Sequence, residues 1–190
     1  ERETKNVKDR IDRYERKIGQ TPPLWDGGKI YGIFMLGNDY SGSGYYGSYP
    51  GNYMERMLAL FPETPRLHLF SGEVTDPEAF CVDFDPETPA DLNMEIEKYL
   101  TQEEPNTFET IFADPPYSKD EAENYNAPYP NKRNCMKGCG KVLRPGGYLI
   151  WLDQRRPIWA KKDGFEWAGC IGVDCGSNRI ARFATILRGV

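Results

Sequence analysis

Short, mostly apolar runs of strand length recur along the chain, separated by polar or glycine-rich stretches. Four of them are residues 66–70, 80–84, 108–113 and 148–152. Runs of this kind are typical of strands buried on both faces of a parallel sheet. Two later runs, 166–173 and 180–187, flank the sequence Gly176-Ser177-Asn178, which predicts a closing antiparallel hairpin.

Helical periodicity marks three further segments. In residues 3–18 one helix face carries four apolar side chains, those of Val7, Ile11, Tyr14 and Ile18. This helix is expected to dock on the domain or on a partner. Residues 53–61 and 134–143 also present one apolar face each. Strands that alternate with helices predict an α/β fold whose sheet is covered on both faces.

The region before residue 66 has a different character. Residues 30–36 form another apolar run, and residues 37–52 are so rich in glycine and tyrosine that they predict a loop. We therefore divide the chain into an N-terminal helix (1–20), a loop and helix packed on the core (21–65) and the core itself (66–190). A length of 190 residues suits a single domain overall.

Charge is unevenly distributed, although the net charge is only −5. Acidic residues predominate in 20–127 and basic residues in 128–190. A basic surface of this kind could contact phosphates, and an ordinary solvated surface is the alternative.

Other compositional features exclude several classes of protein. No apolar run reaches the ~18 residues of a membrane span, and no signal peptide is recognisable, so a cytoplasmic protein is expected. The five cysteines are too loosely spaced for a disulfide scaffold or a zinc knuckle, and no metal site is predicted. His68, the single histidine, lies inside a predicted strand, which favours a core position over a catalytic one.

The sequence Asp114-Pro115-Pro116-Tyr117 directly follows the predicted strand 108–113. Ligands of open α/β sheets bind beyond the carboxyl ends of strands. The two prolines remove two N–H donors, while nearby carbonyls and the Asp114 carboxylate remain as acceptors. Such a pocket favours a group with two N–H bonds to donate, such as the exocyclic amine of adenine or cytosine. Tyr117 supplies a ring for stacking. The alternative is a simple turn, because Asp-Pro is common in turns.

This set of residues addresses a specific chemical problem. The lone pair of an exocyclic amine is delocalised into the base, so the nitrogen is a poor nucleophile. Two accepted hydrogen bonds would aim the lone pair at an incoming methyl group, and positioning would carry most of the catalysis without a metal. A base in a duplex would first have to be flipped out of the stack.

On these residues the chain resembles the class I S-adenosylmethionine-dependent methyltransferases. It is most similar to the amino-methyltransferases of nucleic-acid bases, in which a DPPY motif ends the fourth strand and holds the target amine. Leu143-Arg144-Pro145-Gly146-Gly147 matches the end of the next helix in that family. Over about residues 66–188, the resemblance implies a Rossmann-like, mainly parallel seven-stranded sheet with helices on both faces and a C-terminal antiparallel hairpin. It also implies that Asp114, Pro115, Pro116 and Tyr117 are catalytic.

The resemblance extends to the cofactor-binding half. The family's Phe-x-Gly-x-Gly loop corresponds to Phe70-Ser71-Gly72-Glu73-Val74, in which Val74 replaces the second glycine. Asp83 matches the acid that binds the ribose, and Glu95, in preference to Asp91, matches the acid that reads the adenine amine. The resemblance therefore implies S-adenosylmethionine as cofactor, held by Phe70, Ser71, Gly72, Asp83 and Glu95.

Gly42-Ser43-Gly44 is an alternative glycine-rich cofactor loop. We do not favour it, because that register would leave Asp83 without a ribose to bind. The end of the same loop, from Tyr49 to Asn52, resembles a segment that lines the methionine or the substrate in related enzymes. An exposed surface loop is the alternative for these residues.

Arg155 and Arg156 follow the strand 148–152 at its carboxyl end. Contacts to substrate phosphates are one interpretation of these residues, and a solvated loop is the other.

The sequence thus predicts methyl transfer to an exocyclic amine of a nucleic-acid base, with N6 of adenine in DNA as the first expectation. An RNA methyltransferase acting on ribosomal or transfer RNA is one alternative. The other is an inactive binding subunit with the same fold, which the replacement at Val74 favours. Nucleic acid, DNA before RNA, is the expected partner, and a protein partner or a second copy could meet the N-terminal helix.

Overall fold

The structure is a computed structural model that describes residues 7–20, 22–37, 49–124, 127–176 and 178–190. Its helices are α1 (Val7–Ile18), α2 (Tyr53–Leu60), α3 (Ile96–Gln102), α4 (Lys119–Asn124) and α5 (Lys132–Val142), with a 3₁₀ turn at Lys161–Asp163. Its strands are β1 (Leu24–Asp26), β2 (Lys29–Met35), β3 (Arg66–Leu69), β4 (Ala79–Asp83), β5 (Leu92–Asn93), β6 (Phe108–Ala113), β7 (Leu143–Asp153), β8 (Phe165–Cys175) and β9 (Asn178–Gly189). The alternative glycine loop Gly42-Ser43-Gly44 lies outside the described residues.

All nine strands form one sheet, in the order β1-β2-β8-β9-β7-β6-β3-β4-β5. Strands β3 to β7 run parallel to one another, and β9 lies antiparallel between β7 and β8. The predicted mainly parallel sheet with a closing antiparallel hairpin is therefore confirmed.

The expectation of seven strands was wrong, because the hairpin of β1 and β2 extends the sheet beyond β8. The apolar run 30–36 supplies β2, which pairs in parallel with β8. Gly169 makes this close approach possible. A Cβ at that position would lie 2.0 Å from the Ile30 carbonyl oxygen, and its φ is +145°. Only a glycine combines that backbone angle with so little space.

Residues 144–147 also differ from the expectation. They were predicted to end a helix, but α5 ends at Val142 and β7 already begins at Leu143. Leu143 takes an extended backbone and pairs with Phe108 of β6, so the chain enters the sheet directly from the helix.

Hydrophobic clusters cover both faces of the sheet. One packs under α1 and α2 and includes Tyr14, Phe34, Met57 and Ile150. The other packs under α3 and α5 and includes Leu67, Ile111, Met136 and Trp151. The predicted cover of helices on both faces is therefore confirmed.

The apolar stripe of the N-terminal helix docks on the domain itself. Val7, Ile11 and Tyr14 are buried in the cluster under α1 and α2, and Ile18 packs partly against it. Arg10 on the same helix is buried too, with its guanidinium 4.4 Å from the centre of the Tyr148 ring. A partner of this helix would therefore contact its polar face.

The topology brings five chain segments to one edge of the sheet. Strands β3, β4, β6 and β7 all end there, and β9 begins there because it runs the opposite way, with Phe183 paired to Asp153. We call this the carboxyl edge, and the opposite edge the amino edge. Within the described part of the chain, no helix is long and apolar enough to cross a membrane, and no group of three metal-binding side chains occurs.

Candidate active site at the carboxyl edge

Asp114 occupies the first position after β6, in the middle of the carboxyl edge. Its neighbours in the sheet are the ends of β3 and β7, since Ala113 pairs with both Leu69 and Trp151. Pro115 is buried, and the Asp114 side chain is half-buried. The tetrapeptide is therefore a strand-to-loop junction at the edge where ligands of this class of sheet bind.

Two hydrogen bonds fix the loop that follows. The Tyr117 hydroxyl donates to Asp114 Oδ1 at 2.7 Å, and the Tyr117 backbone N–H donates to Glu121 Oε2 at 2.7 Å. Glu121 is in turn placed by its own N–H, which donates to Ser118 Oγ at 3.1 Å. Tyr117 is thus held by its main chain and by its hydroxyl, with its ring beside the carboxylate.

Burial raises the pKa of Asp114 to about 7. The positive charge of Arg182 and the Tyr117 hydrogen bond oppose this rise, while the negative charges of Asp153 and Glu121 add to it. A carboxyl group that titrates close to neutrality in a loop at the ligand-binding edge is typical of a functional residue. When ionised it offers only acceptors.

Arg182 completes this part of the site from β9. Its guanidinium carbon lies 5.2 Å from the centre of the Tyr117 ring, a distance typical of a cation–π contact. One face of the Tyr117 ring is therefore covered by Arg182.

The end of β7 adds a second carboxylate. Asp153 is buried and accepts from Lys132 Nζ at 2.7 Å. The Lys132 ammonium also lies 5.6 Å from the centre of the Tyr129 ring. Because Asp153 is paired in this way, it differs from Asp114, whose partners are a neutral hydroxyl and a stacked guanidinium.

The Phe70 loop lies at the adjacent end of β3. Its backbone is tightly folded, with positive φ at both Phe70 (57°) and Gly72 (52°). The Ser71 N–H donates to the Val82 carbonyl at 3.2 Å, and the Val74 N–H donates to the Ser71 carbonyl at 3.0 Å. The whole connection 70–78 consists of turns without a helix, so it is shorter than the usual crossover between parallel strands.

Asp83 joins this loop to the end of β4. The Gly72 N–H donates to Asp83 Oδ2 at 2.8 Å, and the Asp85 N–H donates to Oδ1 at 2.9 Å. Burial raises the pKa of Asp83, and these backbone donors oppose the rise. Each carboxylate oxygen can accept a further hydrogen bond, so Asp83 can hold the loop and still bind hydroxyl groups of a ligand.

Two hydroxyl groups near this loop lack partners among the described residues. Ser71 Oγ and the Tyr49 hydroxyl are both buried and unpaired there. The Tyr49 ring stacks on Tyr53 at 5.3 Å. Burial, followed by the charge of Asp114, raises the pKa of the Tyr49 hydroxyl, and the charge of Asp83 contributes in the same direction. Two carboxylates therefore act on the Tyr49 hydroxyl: Asp114, which follows β6, and Asp83, which ends β4. Buried polar groups without partners mark a place for a ligand or an ordered water.

The other predicted site residues lie further out. Glu95 is exposed at the start of α3. Asn52 is exposed just before α2, with a left-handed backbone (φ 62°). Arg155 is exposed beside Asp153, and the Arg156 guanidinium lies 5.7 Å from the Trp167 ring on β8. The structure therefore brings together the two motif regions and Tyr49, whereas none of these four residues is among the described hydrogen-bond or charge partners of Asp114.

Sequence reasoning missed three residues of the site: Arg182, Asp153 and Glu121. Only Glu121 had a local signal, because Ser118-x-x-Glu121 has the spacing of a helix capping box. Asp153 directly follows the predicted strand 148–152, so its place at the carboxyl end of a strand was a signal that could have identified it. Arg182 had no local signal, since its contact with Tyr117 exists only in the folded sheet.

Comparisons with known proteins support the fold. No protein-family model and no curated protein matches the sequence. Among solved structures, TrmN from Thermus thermophilus aligns with 18% identity over 76% of this chain and 50% of its own, with a TM-score of 0.56. The N-methyltransferase NodS from Bradyrhizobium japonicum aligns with 11% identity over 65% of this chain and 84% of its own, with a TM-score of 0.43.

The likeness to TrmN shows that the chain has the Rossmann-like methyltransferase fold. The chain spans about half the length of TrmN.

Proposed function

We propose that this chain is an S-adenosylmethionine-dependent methyltransferase that modifies an exocyclic amino group of a nucleic-acid base. The observation that carries the proposal is the arrangement of the carboxyl edge. Asp114 and Tyr117 lie at the end of β6, the Phe70 loop and Asp83 lie at the ends of β3 and β4, and Tyr49 is influenced by both carboxylates. A donor of a cationic methyl group and an amine acceptor could meet there.

The residues around the Phe70 loop fit the cofactor in two ways. Ser71 Oγ and the Tyr49 hydroxyl are buried and lack partners among the described residues, and such groups are costly unless a ligand satisfies them. The Asp83 carboxylate, which accepts one backbone N–H at each oxygen, also has lone pairs left for hydroxyl groups of a ligand. Asp83 would hold the ribose hydroxyls, Phe70 and Gly72 the methionine part, and Glu95 the adenine amine. When bound, the cofactor would supply an electrophilic methyl group.

Asp114 would act on the substrate amine. Its ionised carboxylate would accept one N–H of the amine, and the Pro115 carbonyl would accept the other. These two bonds would hold the nitrogen lone pair toward the methyl group, which is catalysis by positioning. The face of the Tyr117 ring opposite Arg182 would stack on the base. The proton lost from the nitrogen would leave through Asp114.

Adenine in DNA is the first substrate to test, and a base in RNA is the second. Arg155, exposed next to the site, is a proposed phosphate contact. A partner chain or further sequence could supply the recognition of the target, since no separate recognition domain is visible within residues 66–190.

Methyl transfer from tritium-labelled cofactor tests the proposal. The chain would be incubated with duplex DNA, single-stranded DNA and structured RNA, and the labelled nucleosides identified after digestion. We expect label on an exocyclic amine, first as N6-methyladenine in DNA. Label on an RNA base alone would support the RNA alternative, and label on a ring carbon or on sugar would contradict the amine assignment.

Calorimetric titration separates the enzyme from an inactive subunit. We expect the wild type and Asp114→Ala to bind the cofactor equally, because Asp114 has no proposed role in holding it. Methyl transfer by Asp114→Ala should fall by roughly 10²–10³-fold, as for the loss of one transition-state hydrogen bond. If the wild type does not bind the cofactor, the chain is an inactive relative, and unchanged transfer by Asp114→Ala would remove our assignment.

A further inference from the structure

The arginine at the start of β9 stands apart from every residue that sequence reasoning placed in the site. Arg182 is half-buried, and its strand enters the carboxyl edge from the opposite direction to β6 and β7. Its guanidinium lies over the Tyr117 ring at 5.2 Å, and the hydroxyl of that ring donates to Asp114 at 2.7 Å. A cation, a ring and a carboxylate are therefore linked in series.

We propose that Arg182 is a positioning residue, which keeps Asp114 in its ionised, hydrogen-bond-accepting form and fixes the Tyr117 ring beside it. This inference rests on the proposed function, in which the ionised carboxylate receives the substrate amine. Arg182 would contact neither cofactor nor amine, and would act only through Asp114 and Tyr117.

The charges around Asp114 explain why a cation is needed. Asp153 on β7 and Glu121 on α4 are both negative and oppose its ionisation. Lys132, the cation next to this cluster, is paired with Asp153 at 2.7 Å. Burial also opposes the ionisation of Asp114, more strongly than either carboxylate does. Arg182 carries the positive charge that lowers the pKa of Asp114, and its effect is the largest of those that favour the ionised form.

Within the described part of the chain, the other titratable groups near Asp114 are tyrosines. Tyr117 stabilises the ionised form through its hydrogen bond. Tyr49 and Tyr53 lie close enough for the charge of Asp114 to raise the pKa of each hydroxyl. The Tyr117 hydrogen bond offsets part of the effect of burial and of the two carboxylates, but it lowers the pKa of Asp114 less than the Arg182 charge does. The balance at Asp114 therefore depends on the guanidinium from β9.

A purely structural role for Arg182 makes a different prediction. If Arg182 only packed against Tyr117, its loss would lower the rate by the same factor at every pH. If it sets the ionisation of Asp114, its loss moves the acid limb of the pH profile, and activity returns at high pH. An opposite charge within a few ångströms typically moves a carboxyl pKa by ~1–3 units.

The experiment compares full-length wild type with Arg182→Gln, Arg182→Lys and the matched control Arg188→Gln. Arg188 lies on the same strand at the amino edge, where it pairs with Glu166 at 3.0 Å. Carbon-13 NMR would follow the Asp114 carboxyl through a pH titration, with Asp114→Asn used to assign its signal. The same variants would be assayed for single-turnover methyl transfer over that pH range.

We expect Arg182→Gln to raise the titration point of Asp114 by about one unit, and Arg182→Lys and Arg188→Gln to leave it within about half a unit. Methyl transfer by Arg182→Gln near neutral pH should then fall about fivefold and return close to wild type two units higher.

Two results would overturn the inference: an unchanged Asp114 titration in Arg182→Gln, or a shift as large in Arg182→Lys, which retains the charge. Because Arg182→Lys and Arg182→Gln make separate predictions, either variant alone can contradict the inference. If the wild type transfers no methyl group to any substrate, the proposed function fails, while the NMR titration still decides whether Arg182 controls Asp114.

Discussion

Asp76 and Asp114 are both shielded carboxylates next to strands of the same sheet, yet their environments are opposite. Asp76 lies at the amino edge, where Arg66 donates to both of its oxygens at 2.7 Å and the Glu78 N–H donates at 3.0 Å. Asp114 lies at the carboxyl edge and accepts from a neutral tyrosine hydroxyl. Bonds from Arg66 lower the pKa of Asp76 to about 2 against the effect of burial, whereas burial raises the pKa of Asp114 to about 7.

This difference is the one expected between a structural carboxylate and the ligand-binding carboxylate that we propose Asp114 to be. The acceptors of Asp76 are used within the protein, which stabilises the fold. Only part of the acceptor capacity of Asp114 is taken by hydrogen bonds within the protein. Its charge therefore destabilises the folded state, while its remaining lone pairs can bind a ligand. Stored instability of this kind is typical of catalytic sites.

The largest effect is expected when the ion pair of Arg66 and Asp76 at the amino edge is broken. Asp76→Asn should lower the free energy of unfolding by about 3 kcal/mol, because it leaves the buried Arg66 guanidinium without its main counter-ion. Urea unfolding near neutral pH measures this loss. The matched control is Asp12→Asn, which removes an exposed pair with Lys8 and should leave the free energy of unfolding nearly unchanged. Equal losses in the two variants would contradict the structural role of Asp76.

The second prediction removes the buried charge of Asp114 at the carboxyl edge. Asp114 has a folded-state pKa raised to about 7 from an ordinary 3.8, so its stabilising contribution is complete below the ordinary value and is lost as the pH rises through 7. Asp114→Asn has no charge to bury. It should therefore increase the free energy of unfolding at about pH 8 by roughly 1–3 kcal/mol, and by much less at about pH 4.

Urea unfolding at the two pH values checks this prediction. Tyr117 can still donate to the asparagine oxygen, so the loop should keep its hydrogen bond. A loss of stability at about pH 8 would show that the Asp114 charge is well compensated, and the contrast with Asp76 would not hold.

These two carboxylates also show where sequence reasoning succeeded. The apolar runs before Asp114 and around His68 are local signals, and they correctly predicted β6 and a core histidine, which is fully buried. The tetrapeptide and the Phe70 loop were predicted at the ends of strands for the same reason. Adjacent parallel strands then place them at one edge without further information.

What the sequence could not predict depends on contacts between distant segments. Arg182 contacts Tyr117 because β9 inserts antiparallel beside β7, and no local pattern encodes that distance. The Arg66 and Asp76 pair requires the unusually short connection between β3 and β4. The apolar run 30–36 was recognised, but its pairing with β8 was missed, since that pairing depends on the space left by Gly169.

A third prediction removes the hydrogen bond that Asp114 receives from Tyr117. Tyr117→Phe keeps the ring but deletes the hydroxyl that donates to Asp114 Oδ1. A bond to a charged group contributes about 1.5–3 kcal/mol, so the pKa of Asp114 should rise further. Methyl transfer near neutral pH should fall about tenfold and recover at higher pH. A loss that is constant with pH would instead indicate that the hydroxyl contacts the substrate.

The smallest expected effect concerns the unpartnered hydroxyl of the Phe70 loop. Ser71→Ala should change the free energy of unfolding by less than about 1 kcal/mol, because Ser71 Oγ has no partner among the described residues. The same change should weaken cofactor binding about fivefold, measured by calorimetry, since the bound cofactor would lose one hydrogen bond. A large loss of stability with unchanged binding would mean that the hydroxyl serves the fold.

The most direct test of the account is the single-turnover rate of methyl transfer by wild type and Asp114→Asn, measured with saturating cofactor across the neutral pH range. We predict that the wild-type rate rises with pH through about 7 and levels off. The rate of Asp114→Asn should be roughly 10²–10³-fold lower and independent of pH, since asparagine presents a donor to the amine and has no proton to lose. An asparagine variant that transfers methyl groups at the wild-type rate, or with the wild-type pH dependence, would contradict the central role of the Asp114 carboxylate.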